Sequence, residues 1–262
     1  MKRLHLFEFE DFKWFPSILR DYMTDFLQFV SNRFDVYKKV VPLIEEALAK
    51  SGNNQIIDLA SGGGGGLLKL SDHLAANNPG LKIVLTDYYP NVSAFKATAA
   101  KSKIFTYTEQ SVDARNVPAD LKGLRTQFLS LHHFKPEDAV LILQNAVDSG
   151  SPIALFETQE RNLPSILAMI FSPVSVVLTT PFIRPFRFGR ILFTYIIPVI
   201  PVFILWDGIV SALRTYSIPE MHELTSKVKN KDTYDWKIGK MKSGPAAVPY
   251  LIGTPKVSCS RS

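Results

Sequence analysis

Residues Asp58–Gly66 read DLASGGGGG, and the fold turns on what this stretch is for. Five consecutive glycines are costly to order, because glycine gives up more backbone freedom on folding than any other residue. They follow Ile56-Ile57, in a segment of buried-strand character, and precede Leu67-Leu68, where a helical pattern begins and runs to the Asn-Pro-Gly stop at 78–80. The run therefore occupies a strand-to-helix turn. Backbone approaches a ligand closely at such turns, and the helix start offers unpaired N–H groups. A phosphate-binding P-loop needs Gly-Lys-Ser/Thr, yet Gly66 is followed by Leu67 and the first lysine is Lys69. The dinucleotide fingerprint fits poorly, since Gly62 and Gly64 are followed at the third position by Leu67 rather than Gly or Ala. The spacing that does fit is acid-x-small-x-Gly-x-Gly, formed by Asp58, Ala60, Gly62 and Gly64.

Outward from the glycines, strand and helix alternate. KIVLTD, KIFTYTE, RTQFLSL and PIALFE read as four more strands, with helices NVSAFKATAAK and KPEDAVLILQNAVDSG among them. This rhythm implies an α/β, doubly wound parallel sheet, which binds ligands at the carboxyl ends of its strands. Asp87 ends the second strand, where a carboxylate can accept both hydroxyls of a ribose, with Tyr88 beside it. Asp113 follows the third strand, next to Ala114, and is placed to accept an exocyclic amine of a base. A turn or cap aspartate is the commoner meaning of either residue alone; the order and spacing of the set give them weight together.

Before the sheet, residues 1–50 read as a helical cap, with one buried face carrying Leu19, Met23, Phe26 and Phe29 or Val30. Residues 51–160 are the sheet core. Residues 161–217 form a hydrophobic insertion, and residues 218–262 supply a last helix and two closing strands joined through Gly244-Pro245. The last helix opens on a capping box, Ser217 with Glu220. The 262 residues suffice for one elaborated domain with an ample core. A net charge of +6 from scattered basic residues does not argue for nucleic acid. The single cysteine, Cys259, excludes a disulfide framework and a cysteine-based zinc site, and no metal site is expected. The acidic N-terminus, MKRLHLFEFEDF, lacks the apolar core of a signal peptide, so the cytoplasm is the expected compartment.

With the glycine turn and its two later aspartates in place, residues 55–157 resemble the class I (Rossmann-like) S-adenosylmethionine-dependent methyltransferases. The resemblance implies a mostly parallel seven-stranded sheet closed by an antiparallel hairpin, with S-adenosyl-L-methionine as cofactor. It assigns the methionine portion to Asp58 and the backbone of Ala60, Ser61, Gly62 and Gly64. The ribose hydroxyls fall to Asp87, and the adenine amine to Asp113. Ala60 stands where a glycine is more usual, and the fourth strand lacks the acid many members carry. The Asn-Pro-Pro-Tyr type of signature is absent, which disfavours methylation of a nucleobase. His132 and His133 follow the fourth strand, where the methyl group would lie, and either is a candidate base if the acceptor is a hydroxyl. The competing reading is that they shape the pocket or cap a turn.

The insertion contains uncharged runs at 163–183 and 191–206, separated by RPFRFGR. The second run is short for a span, and Pro173, Pro181, Pro198 and Pro201 interrupt both. A segment lying in a membrane interface suits it better, with Arg184, Arg187 and Arg190 on anionic headgroups and Trp14 and Trp206 as further candidate substrate or membrane contacts. A lid over a greasy pocket and a dimer interface remain as alternatives. The expected activity is methyl transfer to a hydrophobic small molecule or lipid by a protein peripheral on the inner face of a membrane. A soluble natural-product O- or N-methyltransferase and an inactive cofactor-binding membrane adaptor are the rivals.

Overall fold

The computed structural model describes residues 1–243 and 246–256; the expected Gly244-Pro245 turn and Cys259 lie outside the described residues. Strand β1 (Gln55–Asp58) shows how the core is laid down. Successive strand side chains point to opposite faces, so Ile56 enters one apolar layer with Leu81, Ile83 and Phe95. Ile57 enters the other with Ile142, Leu143 and Leu155. Strands β2 (Lys82–Leu85), β3 (Phe105–Tyr107), β4 (Leu124–Phe128) and β5 (Ile153–Phe156) pair in parallel around it. The long strands β6 (Tyr234–Ser243) and β7 (Ala246–Pro255) form an antiparallel hairpin at the edge, completing seven strands in the order β3-β2-β1-β4-β5-β7-β6. This is the expected mostly parallel sheet, with its order reversing at β1 and β4, where the carboxyl ends open a crevice.

Helices cover both faces. Helices α2 (Val41–Ala49), α3 (Leu68–Asn77) and α4 (Val92–Lys101) cover the layer of Ile56, and α5 (Pro136–Asp148) and α10 (Ile218–Ser226) cover the other. In α5 the buried residues Ala139, Ile142, Leu143 and Ala146 recur three and four apart, which makes one apolar stripe. The capping box of Ser217 and Glu220 opens α10, with the Ser217 N–H donating to Glu220 Oε2 at 2.8 Å.

Helix α1 (Ser17–Arg33) carries the buried face expected of it: Met23 and Phe26 are buried, and Leu19, Phe29 and Val30 pack against the same cluster. That cluster is shared with the insertion, whose helices are α6 (Leu163–Ile170), α7 (Ser172–Thr179), α8 (Phe188–Ile191) and α9 (Val199–Arg214). Val176, Ile183, Ile200 and Ile204 meet Phe15, Tyr22, Met23 and Phe26. The N-terminal cap and the insertion, distant in sequence, therefore form one small core beside the sheet.

The structure corrects one expectation here. Arg190 does not face outward: it is 2% exposed, ion-paired with Asp25 on α1, and its Nη2 donates to the Ile183 carbonyl at 2.8 Å. A guanidinium taken out of water needs such partners, and it cannot also hold a headgroup. Arg187 is half-exposed, 3.6 Å from Asp25 and over the Tyr22 ring, while Arg184 is exposed. Among the described residues no single helix is long and apolar enough to cross a membrane. The pairs Leu163–Ile170 with Ser172–Phe182 and Phe188–Ile196 with Val199–Arg214 reach the length only with bends of 43° and 78°.

Candidate active site

The glycine turn is shaped by two demands from opposite sides. Ala60, Gly62 and Gly64 take left-handed backbone, with φ of 55°, 56° and 68°. At Gly62 an added Cβ would meet nothing within 4 Å, so this backbone opens on free space. At Gly63 and Gly65 an added Cβ would come to 2.3 Å from the Gln28 side chain of α1. Asn32 Nδ2 donates to the Gly65 carbonyl at 2.8 Å and Ser31 Oγ to the Gly66 carbonyl at 2.9 Å. Asn32 Oδ1 accepts from the Lys69 N–H at 2.7 Å, at the start of α3. The run is long because one side must admit a ligand and the other a helix.

The turn, the strand tips and the N-terminal segment enclose a cavity of about 1130 Å³. The sheet contributes Asp58, Ala60, Ser61, Gly62, Gly64, Asp87, Tyr88, Asp113, Ala114 and His133. The opposite wall comes from Glu10, Asp11, Lys13, Arg20, Asp21 and Gln28. All nine residues expected to hold the cofactor thus line one space. Among the described residues none of 161–217 does, so the insertion supports the wall from behind rather than forming it.

Asp58 is buried, and its Oδ1 accepts from Thr126 Oγ1 at 2.8 Å. Burial pushes its carboxyl up to about 7, with the field of Asp87 in the same direction and the Thr126 hydrogen bond opposing. Asp87 ties the tip of β2 to the glycine turn: Oδ2 accepts from the Gly62 N–H at 2.9 Å and Oδ1 from the Tyr89 N–H at 2.8 Å. Burial raises its carboxyl as well. Asp113 is held by Arg115, whose Nη2 donates to Oδ2 at 2.8 Å and whose Nη1 reaches Asp138 at 2.8 Å. The Arg115 hydrogen bond lowers the Asp113 carboxyl, so a base amine would share an already paired acceptor. Leu129, at the tip of β4, is a second non-glycine wall residue in left-handed backbone, with φ of 51°. Strain of this kind gathers at ligand sites.

The two histidines part company. His133 faces the cavity, with Nδ1 3.2 Å from Asp11 Oδ1. Burial alone would lower it, but the Asp11 hydrogen bond and the field of Glu8 lift it to about 9. His132 turns inward, its Nδ1 2.9 Å and its backbone N–H 3.1 Å from Glu157. The expectation that either could serve as the base is therefore corrected for His132, which lies behind the wall on Glu157; His133 alone of the two stands on the cavity.

Sequence reasoning missed the N-terminal wall. Glu10 lines the cavity with its Oε1 unpartnered, and burial beside Asp207 pushes its carboxyl up to about 7. Ser130, at the tip of β4, also presents an unpartnered buried hydroxyl to the cavity. The acidic run Glu8, Glu10 and Asp11 was the signal available, although nothing local showed what it would face. Of the two tryptophans, Trp14 is exposed near the cavity mouth formed by Phe12 and Lys13, stacked on Phe12 at 5.3 Å. Trp206 donates from Nε1 to the Phe7 carbonyl at 3.0 Å.

No known family model matches the sequence, and no curated protein matches it. Solved structures do. Human N-acetylserotonin methyltransferase in complex with SAM superposes with a TM-score of 0.50 at 16% identity, over 89% of this chain and 57% of that one. The plantazolicin methyltransferase BpumL in complex with SAH gives 0.48 at 12% identity, over 92% of this chain and 98% of its own. The chain spans little more than half the length of the human enzyme. The strand order, the closing hairpin and this likeness define the architecture: it is the class I methyltransferase fold, with N-terminal helices and a helical insertion after β5.

Proposed function

We propose that the chain binds S-adenosyl-L-methionine and transfers its methyl group to a small-molecule acceptor held between the strand tips and the N-terminal segment. The observation that carries this reading is the convergence of the glycine turn, Asp58 and Asp87 on one cavity large enough for a cofactor and a second molecule. The residues fit the cofactor: Gly62 opens on free space, and two carboxylates, the buried Asp58 and the half-buried Asp87, stand at successive strand tips. Asp58 and the turn backbone would take the methionine end, Asp87 the ribose, and Asp113 with Ala114 and Tyr88 the base. The cofactor's sulfonium supplies an activated methyl group. The protein's task is then alignment and exclusion of water, which the N-terminal wall provides. Glu10, with a free oxygen on that wall, is the residue we assign to take the proton released by a hydroxyl or amine acceptor.

The test is twofold. Calorimetry with S-adenosylhomocysteine should show one site per chain, and labelled methyl donor should be turned over on a panel of hydroxylated and aromatic small molecules. Tight binding without turnover on any acceptor would favour the inactive adaptor. Absence of binding would remove the reading altogether.

A second part of the proposal concerns the insertion. Leu163, Leu167, Ile170, Val174 and Leu178 recur three and four apart and are all exposed, so α6 and α7 present an apolar stripe to the outside. Phe182, Phe186, Phe188 (74% exposed) and Ile196 extend the exposed apolar surface, with Arg184 among them. This supports seating on an anionic membrane surface and a hydrophobic or lipid acceptor, for a cytoplasmic protein peripheral on the inner face. Flotation with anionic and neutral liposomes tests it. A chain that ignores both is better described as a small-molecule methyltransferase whose insertion contacts another protein surface.

A further inference from the structure

Behind the cavity wall, three elements far apart in sequence bring their polar side chains to one point. Glu8 comes from the N-terminal segment, His132 and His133 from the turn after β4, and Glu157 from the end of β5. Glu8 is 2% exposed, His132 1% and Glu157 1%. His132 Nε2 lies 3.8 Å from Glu8 Oε1, and His133 Nε2 lies 3.9 Å from Glu8 Oε2. Both gaps are too long for hydrogen bonds, yet the three ligand atoms all fall within 4.8 Å of one another. We propose that Glu8, His132 and His133 bind a divalent transition-metal ion, with Zn²⁺ the type case.

Four features support the assignment. Each histidine has its other ring nitrogen on a carboxylate: His132 Nδ1 is 2.9 Å from Glu157, and His133 Nδ1 is 3.2 Å from Asp11. A carboxylate at Nδ1 fixes the tautomer that leaves Nε2 free to ligate, and it is the usual outer partner of a metal-bound histidine. The charge balance also calls for a cation. Three carboxylates, Glu8, Asp11 and Glu157, surround the pair; Arg214 donates to Glu8 Oε1 at 3.1 Å and to Asp11 Oδ2 at 2.6 Å, while Arg3 Nη2 is taken up by the His132 and Phe134 carbonyls at 3.1 and 2.9 Å. Distances are near what an ion needs. With bonds of about 2.0–2.1 Å, two ligands of a tetrahedral centre lie about 3.3 Å apart, so the ligand atoms, which fall within 4.8 Å of one another, must close by between about half and one and a half ångström. Finally, two imidazoles and one carboxylate select zinc, iron(II), cobalt(II) or nickel over magnesium and calcium, which prefer all-oxygen sites.

His133 and Asp11 line the cavity, so an ion held here would stand at its wall, within reach of an acceptor oxygen or nitrogen. Only that consequence rests on the methyl-transfer reading; ion binding is a separate property and is measured without turnover. The experiment uses the full chain stripped with chelator, titrated with Zn²⁺ against a chromophoric competitor, and with Co²⁺ followed by visible absorption. One ion per chain is expected. Glu8→Gln and His133→Gln should each weaken it by about tenfold or more, and His73→Gln should not. Should either site variant fail to fold, nitrogen NMR of the parent decides. Of the five histidines, His132 and His133 should show metal-bound Nε2 and protonated Nδ1. The proposal is overturned if the parent binds no stoichiometric ion, if both site variants bind as the parent does, or if the shifted rings are other histidines.

Discussion

Residues 58–66 and 163–206 are the two most biased stretches of the chain, and the fold uses them in opposite ways. The glycine turn sits on the cavity, open to free space at Gly62 and packed against Gln28 at Gly63 and Gly65. The apolar insertion lies off the cavity. It gives Val176, Ile183, Ile200 and Ile204 to a core shared with α1 and leaves Phe171, Phe182 and Phe188 outside. Glycine bias reports a local demand on backbone, which strand and helix flanks locate. Apolar bias reports that side chains must leave water, and leaves open what they meet.

The largest effect expected from breaking this contrast is at the joint between the insertion and α1. Arg190→Met should destabilise the chain by about 3–5 kcal/mol, because it leaves the Asp25 carboxylate without its buried partner. Affinity for S-adenosylhomocysteine should hardly change, since Arg190 is not on the cavity. Urea unfolding and calorimetry on the same variant check the two halves. A loss below about 1 kcal/mol would mean that the pair does not anchor the insertion.

At the glycine turn the balance should reverse. Asp87→Ala is expected to weaken S-adenosylhomocysteine binding by about 1–3 kcal/mol, the scale of charge-assisted hydrogen bonds. Its stability should change less than that of Arg190→Met. Unchanged affinity in calorimetry would take Asp87 out of the site and leave it as a clamp on the Gly62 N–H.

Titration sharpens the same region. Burial raises Asp58 from 3.8 to about 7, so between those values the folded chain keeps a proton that the unfolded chain releases. By linkage, this group's contribution to the stability of the ligand-free protein is full below about pH 4 and is lost as pH rises through about 7. A ligand amine at Asp58 favours the ionised form, so affinity for S-adenosylhomocysteine should rise over the same interval. Thermal unfolding at several pH values, with and without that ligand, is the measurement. Asp58→Asn should flatten both trends, and a parent whose affinity is independent of pH would place the amine elsewhere.

The smallest effect belongs to Ala60. Its φ of 55° is unfavourable for a residue with a Cβ by about 1–2 kcal/mol, while glycine costs about 0.4–1 kcal/mol more to order. Ala60→Gly should therefore raise stability by between about 0 and 1.6 kcal/mol in chemical unfolding. A clear loss would show that the methyl group packs usefully against the cavity wall.

The sheet was legible in the sequence because its signals are local. Ile56-Ile57, the glycine turn, the Asn-Pro-Gly stop and the Ser217–Glu220 box each depend on neighbours a few residues away, and Asp58 and Asp87 follow as strand-tip positions. That two late strands close the sheet as an edge hairpin was implied by the family resemblance, whereas the register of β7 against β5 and β6 came from the structure. What the tertiary structure alone decided is which surface faces which. Arg190 reads as a free cation until α1 brings Asp25 to it. His132 and His133 are adjacent in the chain, yet one turns to Glu157 and the other to Asp11. Glu8, Glu10 and Asp11 are an ordinary acidic run until the N-terminal segment crosses the strand tips, putting Glu10 and Asp11 on the cavity and burying Glu8 behind them. The Asp11–His133 and Asp25–Arg190 contacts cross more than a hundred residues, and His132–Glu157 crosses 25. A charged side chain's role is set by the partner the fold places beside it, and hydropathy, periodicity and spacing carry no record of that partner.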